Sequence, residues 1–232
     1  MKKGRPLAIV MLLLAAAGGA RAGEIIDRIV VTVNGHAILL SDWDEALRYE
    51  ALVNGKPLGS ALETERSSVL QRLVDQELLR QQMEGLSYPH ASPEEVQRQI
   101  TTIRKELPGA ATEEGWRARL GQYGFREEDF AARVRAQLDV LRFLDVRLRP
   151  SIHVDAASVE TYYREIFLPA ARQSGGSAVP LADVSSKIEE LLAQQRMDEM
   201  LKQWLHDLRE QSSIRESAAA GSAEAARLSV AA

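Results

Sequence analysis

The apolar runs Ile29–Val33 and Ala37–Leu40 stand on either side of Asn34-Gly35, a pair that supplies the two positive φ angles of a two-residue hairpin turn. Two strands are marginal in water on their own. The hairpin must therefore pack on helices or take a third strand from elsewhere, because the long sequence that follows it is patterned as helix. The chain has 232 residues, 45% hydrophobic and 27% charged, with 8 Pro and 15 Gly, enough to bury a core in one domain or two small ones. Aromatics at 5%, with abundant Ala, Leu, Glu, Gln and Arg, favour a mainly α fold over a strand-rich sandwich.

Helix signals follow the hairpin in order. Ser41 opens a helix with Asp44 as its capping carboxylate and Asp42 near the positive helix end, stopping near Asn54-Gly55. From about Leu62, apolar residues Val69, Leu70, Leu73, Val74 and Leu78 recur at spacings of three and four, giving a long amphipathic helix that stops near Gly85. Ser92-Pro93-Glu94-Glu95 is a helix start in which Ser caps, Pro takes the first helical position and Glu95 returns a bond to the cap. That helix ends at Pro108-Gly109. Thr112 opens a short one through Trp116 to the Gly121–Gly124 break, and another runs from Glu127 to Leu148, before Pro150. Asp155 caps a further helix through Tyr162 and Tyr163 to Phe167.

Residues 168–180, with Ser174-Gly175-Gly176-Ser177, lose periodicity and are expected to be a linker. Ile188, Leu191, Leu201, Trp204, Leu205 and Leu208 then mark one face of a helix reaching about Gln211, roughly 45 Å long at 1.5 Å per residue. Such a helix should lie across the earlier ones. Ser212–Glu216 is expected to be a short strand, and 217–232 an Ala/Ser tail with little to bury, hence disordered.

The first segment reads as an address. Lys2, Lys3 and Arg5 precede an apolar run from Leu7 to Ala17, and Ala20-Arg21-Ala22 is a small-x-small site that places cleavage between Ala22 and Gly23. The run is short for a membrane span, so the expectation is a cleaved secretory signal, no stable membrane insertion afterwards, and a periplasmic location. Removing residues 1–22 takes four basic and no acidic side chains from 29 basic and 33 acidic, leaving a formal charge of −8. An acidic chain is a poor nucleic-acid binder. The absence of Cys excludes disulfides, thiolate clusters, a cysteine nucleophile and a lipidated N-terminal cysteine.

Chemistry-bearing motifs are sparse. His36, His90, His153 and His206 lie far apart without helical metal-site spacing, and there is no nucleophile elbow, phosphate loop or dinucleotide fingerprint. Glu94-Glu95, Glu113-Glu114 and Glu127-Glu128 sit at helix starts, where the dipole accounts for them. The expectation is a non-enzyme without metal or cofactor. Met83, Trp116, Tyr123, Met197, Met200 and Trp204 are the candidate client-binding residues: large or adaptable side chains suited to lining a groove for extended polypeptide, or alternatively to filling the core between helices.

The segments IIDRIVVTVNGHAILLSDWDEAL, VLQRLVDQELLRQQMEGL, SPEEVQRQI and YGFREEDFAARVRAQLDVLRFLDVRLRPSIHV, within residues 24–167, resemble the N-terminal chaperone module of SurA-type periplasmic foldases. The stretch PLADVSSKIEELLAQQRMDEMLKQWLHDLREQSSIRE resembles the C-terminal helix and final strand with which that family closes on its N-terminal module. Family members carry parvulin-type prolyl isomerase domains between these parts, where this chain has only residues 168–180, too few to fold as a domain. The resemblance implies a helical chaperone module over 23–167, with a small β-hairpin made three-stranded by the C-terminal strand, and with the helix and strand of 181–216 packing back on it. It further implies ATP-independent holding of unfolded outer-membrane proteins or other exported polypeptides. A degenerate isomerase and an envelope scaffold with one fixed partner are the alternatives. A homodimer is compatible with all three.

Overall fold

The computed structural model describes residues 27–59, 65–173 and 179–217. The Ala22–Gly23 cleavage site and residues 218–232 of the expected tail lie outside the described residues.

The hairpin forms as the Asn-Gly pair requires. Strands β1 (Ile29–Val33) and β2 (His36–Leu39) are antiparallel, and the turn holds Asn34 at φ 53° and Gly35 at φ 88°, positive angles that Asn and Gly tolerate best. The missing third strand comes from the far end of the chain. Strand β3 (Ile214–Glu216) pairs antiparallel with β1, setting the order β2-β1-β3. Val31 and Val33 are buried on either side of half-buried Thr32, and Val30 is buried as well where the β1–β2 register shifts between Ile29 and Val31, an irregularity of the β-bulge kind that breaks strict alternation.

Helix α1 (Leu40–Val53) is capped at Leu39, two residues before the expected Ser41, and its capping carboxylate is Asp42 rather than Asp44. The Leu39 amide donates to Asp42 Oδ2 at 2.9 Å. Moving the cap back by two residues, from Ser41 to Leu39, moves the third helical position with it. Ser41 instead bonds Asp27, and Asp44 pairs at 2.9 Å with Arg66, whose buried guanidinium also stacks 4.4 Å from the Trp43 ring centre. Helices α2 (Arg66–Met83), α3 (Pro93–Glu106), α4 (Glu113–Gln122) and α5 (Glu127–Leu148) follow. The capping box at α3 closes as the sequence implies, Glu95 N–H to Ser92 Oγ at 3.3 Å and Ser92 N–H to Glu95 Oε2 at 2.8 Å. Thr112 caps α4 through the Gly115 amide at 3.1 Å. Gly115 is obligatory there, since a Cβ would lie 2.0 Å from the Gly109 carbonyl oxygen.

The expected linker is in part helical. Helix α6 (Ala156–Tyr162) passes through one π turn (Tyr163–Phe167) into α7 (Leu168–Gln173). Leu168 N–H reaches back five residues to the Tyr163 carbonyl. Pro169 lacks an amide proton, and the π turn rearranges the hydrogen-bond ladder just before it. Loss of apolar periodicity over 168–173 therefore marks an exposed helix rather than a loop. Helix α8 (Leu181–Gln211) has 31 residues and runs back along α6, then across α2 and α5, before delivering β3.

The main core joins the sheet to α1 through α5. Tyr49, Trp116, Phe125 and Phe130 form its aromatic centre, with Trp116 edge-on to Phe130 at 5.2 Å and Phe130 fully buried. Each such side chain contributes roughly 1.5–3 kcal/mol through burial.

Candidate functional site

Helices α2 and α5 each serve two clusters. Val69, Val74 and Leu78 of α2, with Phe130 and Val134 of α5, face the main core. Toward their C-terminal ends both helices turn another face to a second cluster, whose buried members are Leu79, Phe143, Leu144 and Leu148. α8 lies over it. Met83, Tyr88, Val140, Met197, Met200, Leu201, Trp204 and Leu205 surround that cluster half-buried. This is a seam, apolar inside and open along its margin. Its rings form a chain, Tyr88 to Phe143 at 5.8 Å and Phe143 to Trp204 at 6.0 Å.

The sequence candidates divide here. Met83, Met197, Met200 and Trp204 come together on the seam from two helices more than a hundred residues apart. Trp116 and Tyr123 do not belong to it. Trp116 is 3% exposed and Tyr123 1%, and the Tyr123 hydroxyl donates to the Lys56 carbonyl at 2.6 Å. Both are core residues, so their reading as groove residues is corrected. Their helical spacing gave the inward face, while the covering by α1, α3 and α5 that seals it is tertiary. The structure adds Tyr88 and Phe143, which sequence reasoning passes over. A lone tyrosine in the turn after Gly85 is the available signal for Tyr88, whereas the periodicity of α5 marks Phe143 only as an ordinary core position.

Polar contacts hold the seam's walls. The segment carrying Tyr88 is tied to α5, with Ala91 N–H donating to Asp139 Oδ1 at 2.7 Å, His90 Nδ1 lying 3.0 Å from Asp139 Oδ2, and Arg142 reaching both the His90 carbonyl at 3.2 Å and Glu95. Tyr88 lies against His90 at 4.6 Å. Its removal from water, reinforced by the Asp139 charge, holds the phenol above its ordinary pKa, so it is neutral at physiological pH. At the far end of α8, Arg209 bonds Asp75 at 2.6 Å and Gln71 through both its side chain at 2.8 Å and its carbonyl at 2.9 Å. Asn34 N–H donates to the Ser213 carbonyl at 2.9 Å, and Ser213 N–H returns a bond to Asn34 Oδ1 at 2.8 Å.

The middle of α8 thus presents thioethers and an indole between two anchored ends. Thioethers are polarizable, unbranched and accommodating, so the seam can repack around apolar side chains of varied shape. Leu201 and Leu205 also border a groove of about 430 Å³ with Asp75, Asp198, Lys202, His206 and Arg209. Among the described residues no group of three or more His, Asp or Glu is arranged to hold a metal ion, and no helix is long and apolar enough to cross a membrane.

Comparison with known proteins gives one family. The sequence model described as the SurA-like N-terminal domain matches residues 6–143, a span that contains the hairpin, α1 through α4 and most of α5. No curated protein matches the chain.

Proposed function

The chain belongs to the family of SurA-like N-terminal domains, and from that membership we propose that it is an ATP-independent chaperone, a holdase for unfolded exported polypeptides. The observation that carries this reading is the seam, where Met83, Met197, Met200, Trp204 and Tyr88 are left half-buried although the main core of the same molecule is closed. Half-covered, repackable apolar surface suits partners without a fixed shape.

In this reading the protein is exported through residues 1–22, works in the periplasm without nucleotide, and assists outer-membrane protein biogenesis by delaying aggregation. It binds rather than catalyses, and it takes neither cofactor nor nucleic acid. Affinity is modest, about micromolar or roughly −8 kcal/mol, because ordering a disordered client offsets much of the gain from apolar burial. Weak binding permits release without ATP.

The test is light scattering of a urea-diluted outer-membrane β-barrel protein, with and without a several-fold excess of the mature chain and no nucleotide. Suppressed scattering that Trp204→Ser weakens supports the reading. Unchanged scattering at that excess sinks it. Mass analysis of the protein from a periplasmic fraction checks the address, with an N-terminus at Gly23 as the expected result.

A further inference from the structure

Resting on that chaperone reading, we propose that the seam selects apolar peptide segments bearing a carboxylate, and that Arg147 is the residue that reads the charge. Arg147 lies in the last turn of α5 with its guanidinium carbon 5.7 Å from the Trp204 ring centre, at the edge of the seam. A cation there suits the negative end of the helix dipole, which accounts for its charge but not for its place over the indole.

Three other arginines, on α5 or at its end, hold carboxylates. On α5, Arg133 pairs with Glu45, Arg142 with Glu95, and the adjacent Arg149 with Asp145. Arg147 is paired with no carboxylate among the described residues, and its guanidinium lies over the indole face. The nearby acids are engaged elsewhere. Asp139 holds His90 and the Ala91 amide, Asp145 holds Arg149, and on α8 Asp198 and Asp207 accept from Gln194 and Gln203, while Glu199 lies 3.9 Å from Arg196. Arg80 and Glu84, flanking Met83, neutralise each other.

The seam is therefore an apolar margin with a cation stacked on its indole that no carboxylate among the described residues holds. A guanidinium stacked on an aromatic face keeps its planar N–H fork free for a carboxylate. The complementary ligand places an apolar side chain on half-buried Met200 and Trp204 and a carboxylate beside Arg147. A neutral segment covers the seam without using the charge, and a basic one meets repulsion.

Two acetylated six-residue peptides of Ala, Leu and Phe, identical except for a C-terminal carboxylate or amide, test the proposal by fluorescence anisotropy against the full mature chain. The carboxylate form is expected to bind about three- to fivefold more tightly in low salt, the upper range of a solvent-exposed ion pair, with the ratio falling as salt is added. Arg147→Gln should bring that ratio to about one, and Arg147→Lys should retain part of it. Equal binding of the two peptides to the wild type, or an undiminished ratio in Arg147→Gln, overturns the charge reading and leaves the seam standing. Failure of both peptides to bind overturns the seam as a client site, and the selectivity with it.

Discussion

Trp116 and Trp204 each lie beneath an arginine whose guanidinium carbon is 5.7 Å from the ring centre, yet the two pairs do opposite things. Arg104 over Trp116 spends its donors on the Ala110 and Ala111 carbonyls and on Glu113, closing a ring that is already edge-on to Phe130 and 3% exposed. Trp204 is half-buried, touched by one ring, Phe143, and covered by an arginine with donors to spare. The same pair of residue types seals one region and leaves the other open. What differs is the number of elements converging on the ring, which decides whether an aromatic side chain is core or surface for a partner.

If α8 is a wall of both regions, removing it should ruin both. Deleting residues 180–232 takes away buried Ile188 and Leu208, half-buried Leu201, Trp204 and Leu205, the third strand and the Arg209–Asp75 pair. At roughly 1.5–3 kcal/mol for each large apolar side chain fully buried, the loss exceeds about 5 kcal/mol and is comparable with a domain's whole stability. No cooperative urea transition should remain by circular dichroism. A truncated protein with an unchanged melting temperature would make α8 an appendage and dissolve the comparison.

Phe130→Ala probes the closed region alone. It removes the ring shared by Tyr49, Trp116 and Phe125 at a fully buried site, with an expected cost of about 3–5 kcal/mol. Client binding by whatever fraction stays folded should be unaltered. Trp204→Ser probes the open region, costing about 1–2 kcal/mol because the ring is only half-buried and weakening aggregation suppression several-fold. If its stability loss equals that of Phe130→Ala, the two tryptophans belong to one kind of packing.

The smallest effect concerns acid. The Ser92 backbone amide and, behind it, Arg142 hold the Glu95 carboxyl below its ordinary value of 4.5. A depressed folded-state pKa contributes stability above the unfolded value, and that contribution is lost as pH falls through the folded value. Urea midpoints measured from pH 6 to pH 3 should drop below about pH 4.5, and Glu95→Gln should flatten that limb. An identical acid limb in the variant would remove Glu95 from the ties that hold α3 to α5.

Much of the fold is legible because its signals are local. Ser92-Pro93-Glu95, Thr112 and Asp155 cap where their side chains must, and Asn34-Gly35 turns the hairpin. The need for a third strand follows from the instability of two, and Ser212–Glu216 is the segment that supplies it. Asp44 reads as the capping carboxylate until a two-residue shift in the helix cap, from Ser41 to Leu39, passes that role to Asp42, and sequence leaves the shift open. α7 escapes a periodicity reading because an exposed six-residue helix carries no apolar stripe. The seam is half legible. Periodicity names the inward face of a helix but not how many neighbours cover it, so Trp116 and Trp204 read alike.

The bonds of Asn34 to Ser213 join positions 179 residues apart. Ribosomes add about 5–20 residues per second, so roughly 10–35 s separate the appearance of the turn from that of its partner. Closing so long a loop carries an entropic cost of about 4–5 kcal/mol by the (3/2)RT ln n rule. The hairpin is made first and completed last, and throughout that interval β1 offers one unpaired edge to whatever strand is near. The last described residues of the fold are thus its clock, and until they arrive the hairpin is a two-stranded ribbon, marginal in water.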